Sequence, residues 1–195
     1  MTNDVLLIVL STKNEQSKLA LSLGEEKAQE MYKKLEAAAC AAVTHVPCKK
    51  VVYYSDENNA EHPWCSERFT VKQQTEKHIN TKLKSAFAEY LIQDKDDVNK
   101  VVFVAADCPQ LTKQIIEKAF ESLNKYDVCI GPEKKGSYYL IGMKEPLAFL
   151  FDSKIWSGKH LLDDTLEELI DNGKNYFLLP ELQRVNDIYD LHLVK

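Results

Sequence analysis

Residues 100–111, Lys-Val-Val-Phe-Val-Ala-Ala-Asp-Cys-Pro-Gln-Leu, restrict the fold more than any other stretch. Val101, Val102, Phe103 and Val104 form an unbroken apolar run rich in β-branched side chains. A strand reads this way when both faces of its sheet are covered, as in a parallel sheet between helices. Ala105 and Ala106 leave room for a close neighbour, and Asp107 is the first charge after the run. Pro109 brings a fixed φ and no N–H, which suits a turn or the first position of a helix. Ile115, Ile116, Ala119, Phe120 and Leu123 then recur at helical spacing. An acid at the carboxyl end of a buried parallel strand lies where open α/β sheets bind ligands. Spacing alone leaves a second reading equally open, in which Asp107 makes an Asx turn or caps the helix.

The rest of the chain continues the alternation. Residues 5–10 are apolar throughout and predict a first strand, followed by a polar loop over 11–18. A helix is expected over 24–46, with Ala28, Met31, Tyr32, Leu35, Ala38, Ala39 and Ala42 on one face and Pro47 as its stop. Strands at 51–54 and 68–73 flank a polar stretch containing Asn58, Asn59 and Pro63. Thr75 suits an N-cap before a helix whose Ile79, Leu83, Ala86, Phe87, Tyr90 and Leu91 share a face. Strand-like runs at 128–130 and 137–143 bracket residues 133–136. A helix over 160–172 carries Leu161, Leu162, Leu166, Leu169 and Ile170 inward and stops at Gly173. A strand at 176–179 and a short helix at 187–193 close the chain. Strands alternating with helices predict an α/β fold, a three-layer α/β/α sandwich with a mostly parallel sheet. No repeat, low-complexity tract or linker divides the 195 residues, so a single domain spanning 1–195 is expected.

Charge and motifs exclude several functions. A net charge of −5 offers no broad nucleic-acid surface. No apolar run is long enough to span a bilayer. Asp4 precedes the short first apolar run and no small-residue cleavage site follows, so residues 1–10 read as a strand and not as a signal peptide. Cys40, Cys48, Cys65, Cys108 and Cys129 are scattered without CxxC spacing, which fits a reducing cytoplasm. His62, Cys65 and Cys48 make a zinc site only a minority reading, because structural zinc takes four ligands in tight pairs. No GxGxxG follows the first strand, which argues against a dinucleotide site. Residues 131–137 approach a P-loop but lack the Lys after the second Gly and run into a strand, so no helix N-terminus backs them. There is no GxSxG elbow and the five histidines are dispersed. Cys108 reads as packing, since the carboxylate beside it raises a thiol's pKa.

Several pieces then fall in one order. Asp107-Cys108-Pro109 follows a buried strand, Gly131-Pro132 and Gly136-Ser137-Tyr138-Tyr139-Leu140-Ile141-Gly142 come next, and Trp156-Ser157 and Asp190-Leu191 complete the series. Over nearly the whole chain this resembles a bacterial family of glycosyltransferase-A-like fold, the radical-SAM/selenodomain-associated transferases, related more distantly to nucleotidyltransferases of cofactor synthesis. The resemblance implies a nucleotide-diphospho-sugar transferase fold, with a nucleotide-sugar or related nucleotide donor over the carboxyl ends of the strands. It implies that Asp107 is the catalytic residue, its carboxylate holding a divalent metal, Mg2+ or Mn2+. A leaving diphosphate departs only when its charge is neutralised, which a bound cation and basic groups accomplish. The family's first loop holds phosphates; the matching loop here runs from Ser11 through Lys13 to Leu19, with Ser17 and Lys18 at the family's Thr and Arg positions. Ser11, Lys13, Ser17, Lys18, Lys135 and Gly136 are therefore the expected donor contacts. Asn186 stands where a second metal carboxylate is expected.

The departures from the family are as informative. The first loop is several residues shorter, Gln16 replaces a Lys, the loop's Gly is gone, and Lys18 lacks the bidentate fork of Arg. Where the family carries acids before a Gly pair, this chain has Lys134-Lys135-Gly136-Ser137. The family's Asp-x-Asp-Thr is here Arg184-Val185-Asn186-Asp187, and an amide oxygen at 186 ligates without charge. Two outcomes fit. One is a cytoplasmic enzyme that transfers a sugar or nucleotidyl group from a small nucleotide ligand with a divalent ion. It would have no nucleic-acid or membrane partner, and homo-oligomerisation is left open. The other is a catalytically inactive member that keeps the fold as a binding module. Lys134 and Lys135 could meet phosphate directly and reduce the need for metal, against the plainer reading of a solvated turn. Tyr138 and Tyr139 alternate faces, so one is expected in the core and the other along the crevice. Trp156 is expected as a core or lid anchor.

Overall fold

The computed structural model describes residues 3–9, 18–54, 64, 66–73, 78–93, 98–152 and 158–194. Its strands are β1 Asp4–Val9, β2 Lys49–Tyr54, β3 Thr70–Gln73, β4 Lys100–Ala105, β5 Val128–Pro132, β6 Tyr138–Met143 and β7 Tyr176–Leu178. They form one sheet in the order β3-β2-β1-β4-β6-β5-β7. Among the described residues only β6 runs antiparallel to its neighbours; the remaining pairs are parallel. β1 sits between β2 and β4, so the strand order reverses there. Asp4 pairs with Lys100 and the register runs to Val9 against Ala105. Every residue of β1 is buried, as is β4 beyond Lys100. The continuous apolar runs are thus explained by cover on both faces. Each fully buried Val, Leu or Phe there contributes roughly 1.5–3 kcal/mol.

The helices are α1 Lys18–Leu23, α2 Glu25–Thr44, α3 Ile79–Ala88, α4 Lys113–Ser122 and α5 Leu161–Asp171. α2 packs on α4, whereas α3 packs on the 3-10 turn Ala148–Phe151, which in turn packs on α5. With both sheet faces buried, these two groups are the outer layers of the expected sandwich. Phe87 of α3 stacks on Phe151 at 5.4 Å between ring centroids. A π-helical turn, Glu89–Gln93, continues α3. It sets Glu89 against the Tyr53 hydroxyl, which donates at 2.8 Å, and against the Lys72 ammonium.

Several expectations are corrected. Residues 18–23, for which no element is expected between the polar loop and the helix at 24, form α1. Gly24, at φ +78°, separates α1 from α2 in a conformation other residues resist. Leu19 is buried with Ala28, Leu35 and Val185 in a small second core beneath the C-terminal segment. Ile170 is 62% exposed, and Thr165 takes an inward position on α5 by donating its hydroxyl to the Leu161 carbonyl at 2.7 Å. Tyr138 and Tyr139 are both buried, so neither lines a crevice. The Tyr139 ring lies over Gly131, where a Cβ would come within 2.4 Å of it, and its hydroxyl donates to the Pro180 carbonyl at 2.9 Å. Thr75, Trp156, His62 and Cys65 lie outside the described residues. Burial pushes the Cys48 thiol up to about 12. No helix among the described residues is long and apolar enough to cross a membrane.

Candidate functional site

The carboxyl ends of β1, β4, β5 and β7 share one edge of the sheet with the start of the reversed β6. Asp107 follows β4 at this edge. It does not cap α4: that cap is Thr112, whose side chain accepts from the Ile115 amide at 3.4 Å. Both Asp107 carboxylate oxygens accept from Arg184 instead, Nε to Oδ1 and Nη2 to Oδ2, each at 2.7 Å. The two side chains are about a quarter exposed, 24% for Arg184 and 29% for Asp107. Burial works against the charge of the guanidinium. The charge and hydrogen bonds of Asp107, and then the charge of Glu133, outweigh it and push its pKa up.

Backbone bonds hold Arg184 in place. Past β7 the chain crosses the ends of β5 and β4: Leu182 N donates to Pro132 O at 3.0 Å and Val185 N to Asp107 O at 2.9 Å. Gln183 N donates to Gln110 Oε1 at 2.9 Å. In sequence Arg184 stands out only as a departure from a family motif. A signal was available. Of 25 basic residues only Arg68 and Arg184 are arginines, and Arg is the side chain chosen where a carboxylate is met by a planar fork.

Glu133 is a second residue that the sequence pattern does not single out. The acid expected between Gly131-Pro132 and Gly136 has not vanished; it stands first in the loop and points inward. Glu133 is 2% exposed. Its Oε2 accepts from the Lys135 amide at 2.9 Å and the Ser137 hydroxyl at 3.1 Å. Its Oε1 is buried and has no hydrogen-bond partner among the described residues.

The remaining predicted residues divide. The Lys135 ammonium is held by Asp187 Oδ2 at 3.1 Å and by Asp190 Oδ1 and Oδ2 at 3.0 and 2.8 Å. Asp190, 2% exposed, also accepts from Gln183 Nε2 at 2.9 Å and from the Asn186 and Asp187 amides at 2.9 and 3.1 Å. Burial alone would raise its pKa, but Lys135, then these donors, hold it down at about 2. Gly136, at φ +88°, donates its amide to Glu133 O at 3.0 Å and accepts from Leu162 N of α5 at 2.9 Å. Its place in the turn is thus accounted for by packing against the start of α5. Ser11, Lys13 and Ser17 lie outside the described residues, as does the side chain of Lys18, whose backbone opens α1. Cys108 is buried, with its thiol pushed up to about 12 by burial and then by Asp107, as packing requires.

A resident divalent ion is expected at Asp107 and Asn186. Arg184 takes both Asp107 oxygens, and no group of three His, Cys, Asp or Glu able to hold a metal gathers among the described residues. Hard divalent ions need several oxygen ligands around them. As placed, these residues do not fit the ion, and a guanidinium already stands against the carboxylate.

A mostly parallel sheet with one reversed strand, and ion pairs gathered at its carboxyl edge, define an α/β protein of the nucleotide-diphospho-sugar transferase and nucleotidyltransferase fold. Residues 22–158 match the family described as "Uncharacterized protein conserved in bacteria (DUF2064)", and the chain belongs to that family. The fold is similar to that of the "putative nucleotide-diphospho-sugar transferase" of Desulfovibrio desulfuricans G20, with a TM-score of 0.84, 21% identity, and 99% of this chain and 86% of that one covered. It is also similar to the 4-diphosphocytidyl-2C-methyl-D-erythritol synthase of Anaerococcus prevotii DSM 20548, with a TM-score of 0.64, 10% identity, and 99% and 94% covered. A third similar structure is a CMP:2-keto-3-deoxy-manno-octonic acid synthetase complexed with CTP, with a TM-score of 0.54, 12% identity, and 97% and 95% covered. At these identities the likeness establishes the fold alone. No curated protein matches the chain in sequence.

Proposed function

We propose that the protein is a transferase that takes a sugar or nucleotidyl group from a nucleotide-activated donor. The donor's phosphates lie over the carboxyl edge at Asp107, Glu133 and Arg184. The observation that carries this reading is the position of those charges at the end of the sheet where strand order reverses. In open α/β sheets that is the crevice ligands occupy. The chemistry needs a preorganised positive group where a diphosphate or pyrophosphate leaves. Arg184 is such a group, held in place by two charge-assisted hydrogen bonds. The metal-assisted form of the reaction, implied by the family resemblance, finds no fitting donor set at Asp107 and Asn186, so no step is drawn through an ion. A cytoplasmic setting, expected from the cysteines, belongs to the same reading.

Nucleotidyl transfer is the second reading, favoured by the likeness to a synthase of a diphosphocytidyl compound and to a structure holding CTP. Release of pyrophosphate from CTP or UTP separates it from sugar transfer, which releases a nucleoside diphosphate. The primary test is thermal unfolding with UDP, GDP, CDP, CTP and their sugar conjugates, in Mn2+ and in EDTA. A ligand at one hundred times its Kd stabilises by about 2.7 kcal/mol. At least one of these nucleotides should raise Tm; if none does, under either condition, the reading is lost.

A further inference from the structure

We propose that the Arg184 guanidinium is a built-in substitute for a divalent ion at the carboxyl edge, held by Asp107 and turned to the donor's phosphates. This rests on the reading of a nucleotide-activated donor and adds which group neutralises it. Three observations support the substitution. The guanidinium covers both oxygens of the acid that a cation would need. Glu133, 2% exposed, keeps one carboxylate oxygen without a partner among the described residues, and its charge acts on the same guanidinium. Asn186, at the second expected ligand position, brings no charge. The acid expected to hold a metal therefore already holds a cation, and the chain itself supplies that cation.

Arginine suits the task better than lysine. Its planar fork can hold a carboxylate on one side and offer the remaining N–H groups to phosphate oxygens. Nε and Nη2 serve Asp107, while Nη1 has no hydrogen bond to any described residue. The side chain as a whole is a quarter open to solvent. Lys134, exposed on the loop that carries Glu133, adds positive charge nearby.

The test has two arms. In the first, wild type and Arg184→Ala are titrated calorimetrically with Mn2+ alone. The variant frees both carboxylate oxygens of Asp107, so it should bind Mn2+ at least about tenfold more tightly than wild type. Equal affinity overturns the proposal. In the second arm wild type alone is titrated with UDP, GDP and CDP, in Mn2+ and in EDTA, so the result does not depend on a variant that folds. Matching affinity under the two conditions supports the proposal. Binding that requires Mn2+ overturns it while leaving the donor reading intact. No binding under either condition overturns both.

Discussion

Asp190 has more hydrogen-bond donors on it than any other carboxylate of the candidate site, and its behaviour with pH follows. Its pKa in the fold lies near 2, below the ordinary 3.8. A depressed carboxylate stabilises above its unfolded pKa, and that stability is lost as pH falls through the folded value. The shift is worth roughly 2 kcal/mol. Asp190→Asn should therefore lower unfolding free energy in urea at pH 7 by about 2–3 kcal/mol, since it also breaks the Lys135 pair and weakens the amide contacts. At pH 3 the gap to wild type should narrow by about half, because the native carboxylate is then losing its advantage. A gap unchanged with pH would show that Asp190 contributes through shape and not through charge. Asp107 differs. Its pair with Arg184 is a quarter open to water, so Asp107→Ala should cost only about 1–2 kcal/mol and leave the protein folded.

At the scale of elements, the β5–β6 turn is the piece that joins the site to the rest of the fold. Gly136 adopts φ +88°, and a Cβ there would lie 1.9 Å from the Lys159 carbonyl oxygen, which is backbone and does not yield. Gly136→Ala should thus destabilise by roughly 3 kcal/mol, read as a lower urea midpoint with unchanged slope. A neutral result would mean that α5 can shift its start without loss. β4, β1, α4 and α5 were legible in the sequence because each carries a period that burial on one or two faces imposes. α1 was not, since six residues after a polar loop give too short a pattern, and its burial depends on Val185 far along the chain. Asp107 was correctly put at the end of β4. Its partner was not foreseeable from spacing, because 77 positions separate it from Arg184 and only the topology brings them together. Glu133 was hidden by the two lysines after it, which drew the loop's charge reading toward solvent.

At the scale of the whole molecule, the sheet fixes where a ligand can sit and the side chains decide what it is. The fold is shared with proteins at 10–21% identity, so the scaffold tolerates wide change in sequence while strand order is kept. On that scaffold this chain places its charges as Arg184 on Asp107, Lys135 on Asp187 and Asp190, and an inward Glu133. The most direct test of the central claim is a calorimetric titration of wild type and Asp107→Ala with UDP, GDP and CDP. Wild type should bind at least one of the three saturably, one per chain, and the variant, with Arg184 no longer held, should bind it about tenfold more weakly, a loss near 1.4 kcal/mol. Wild type that binds none of them, or a variant that binds as tightly as its parent, would contradict the account.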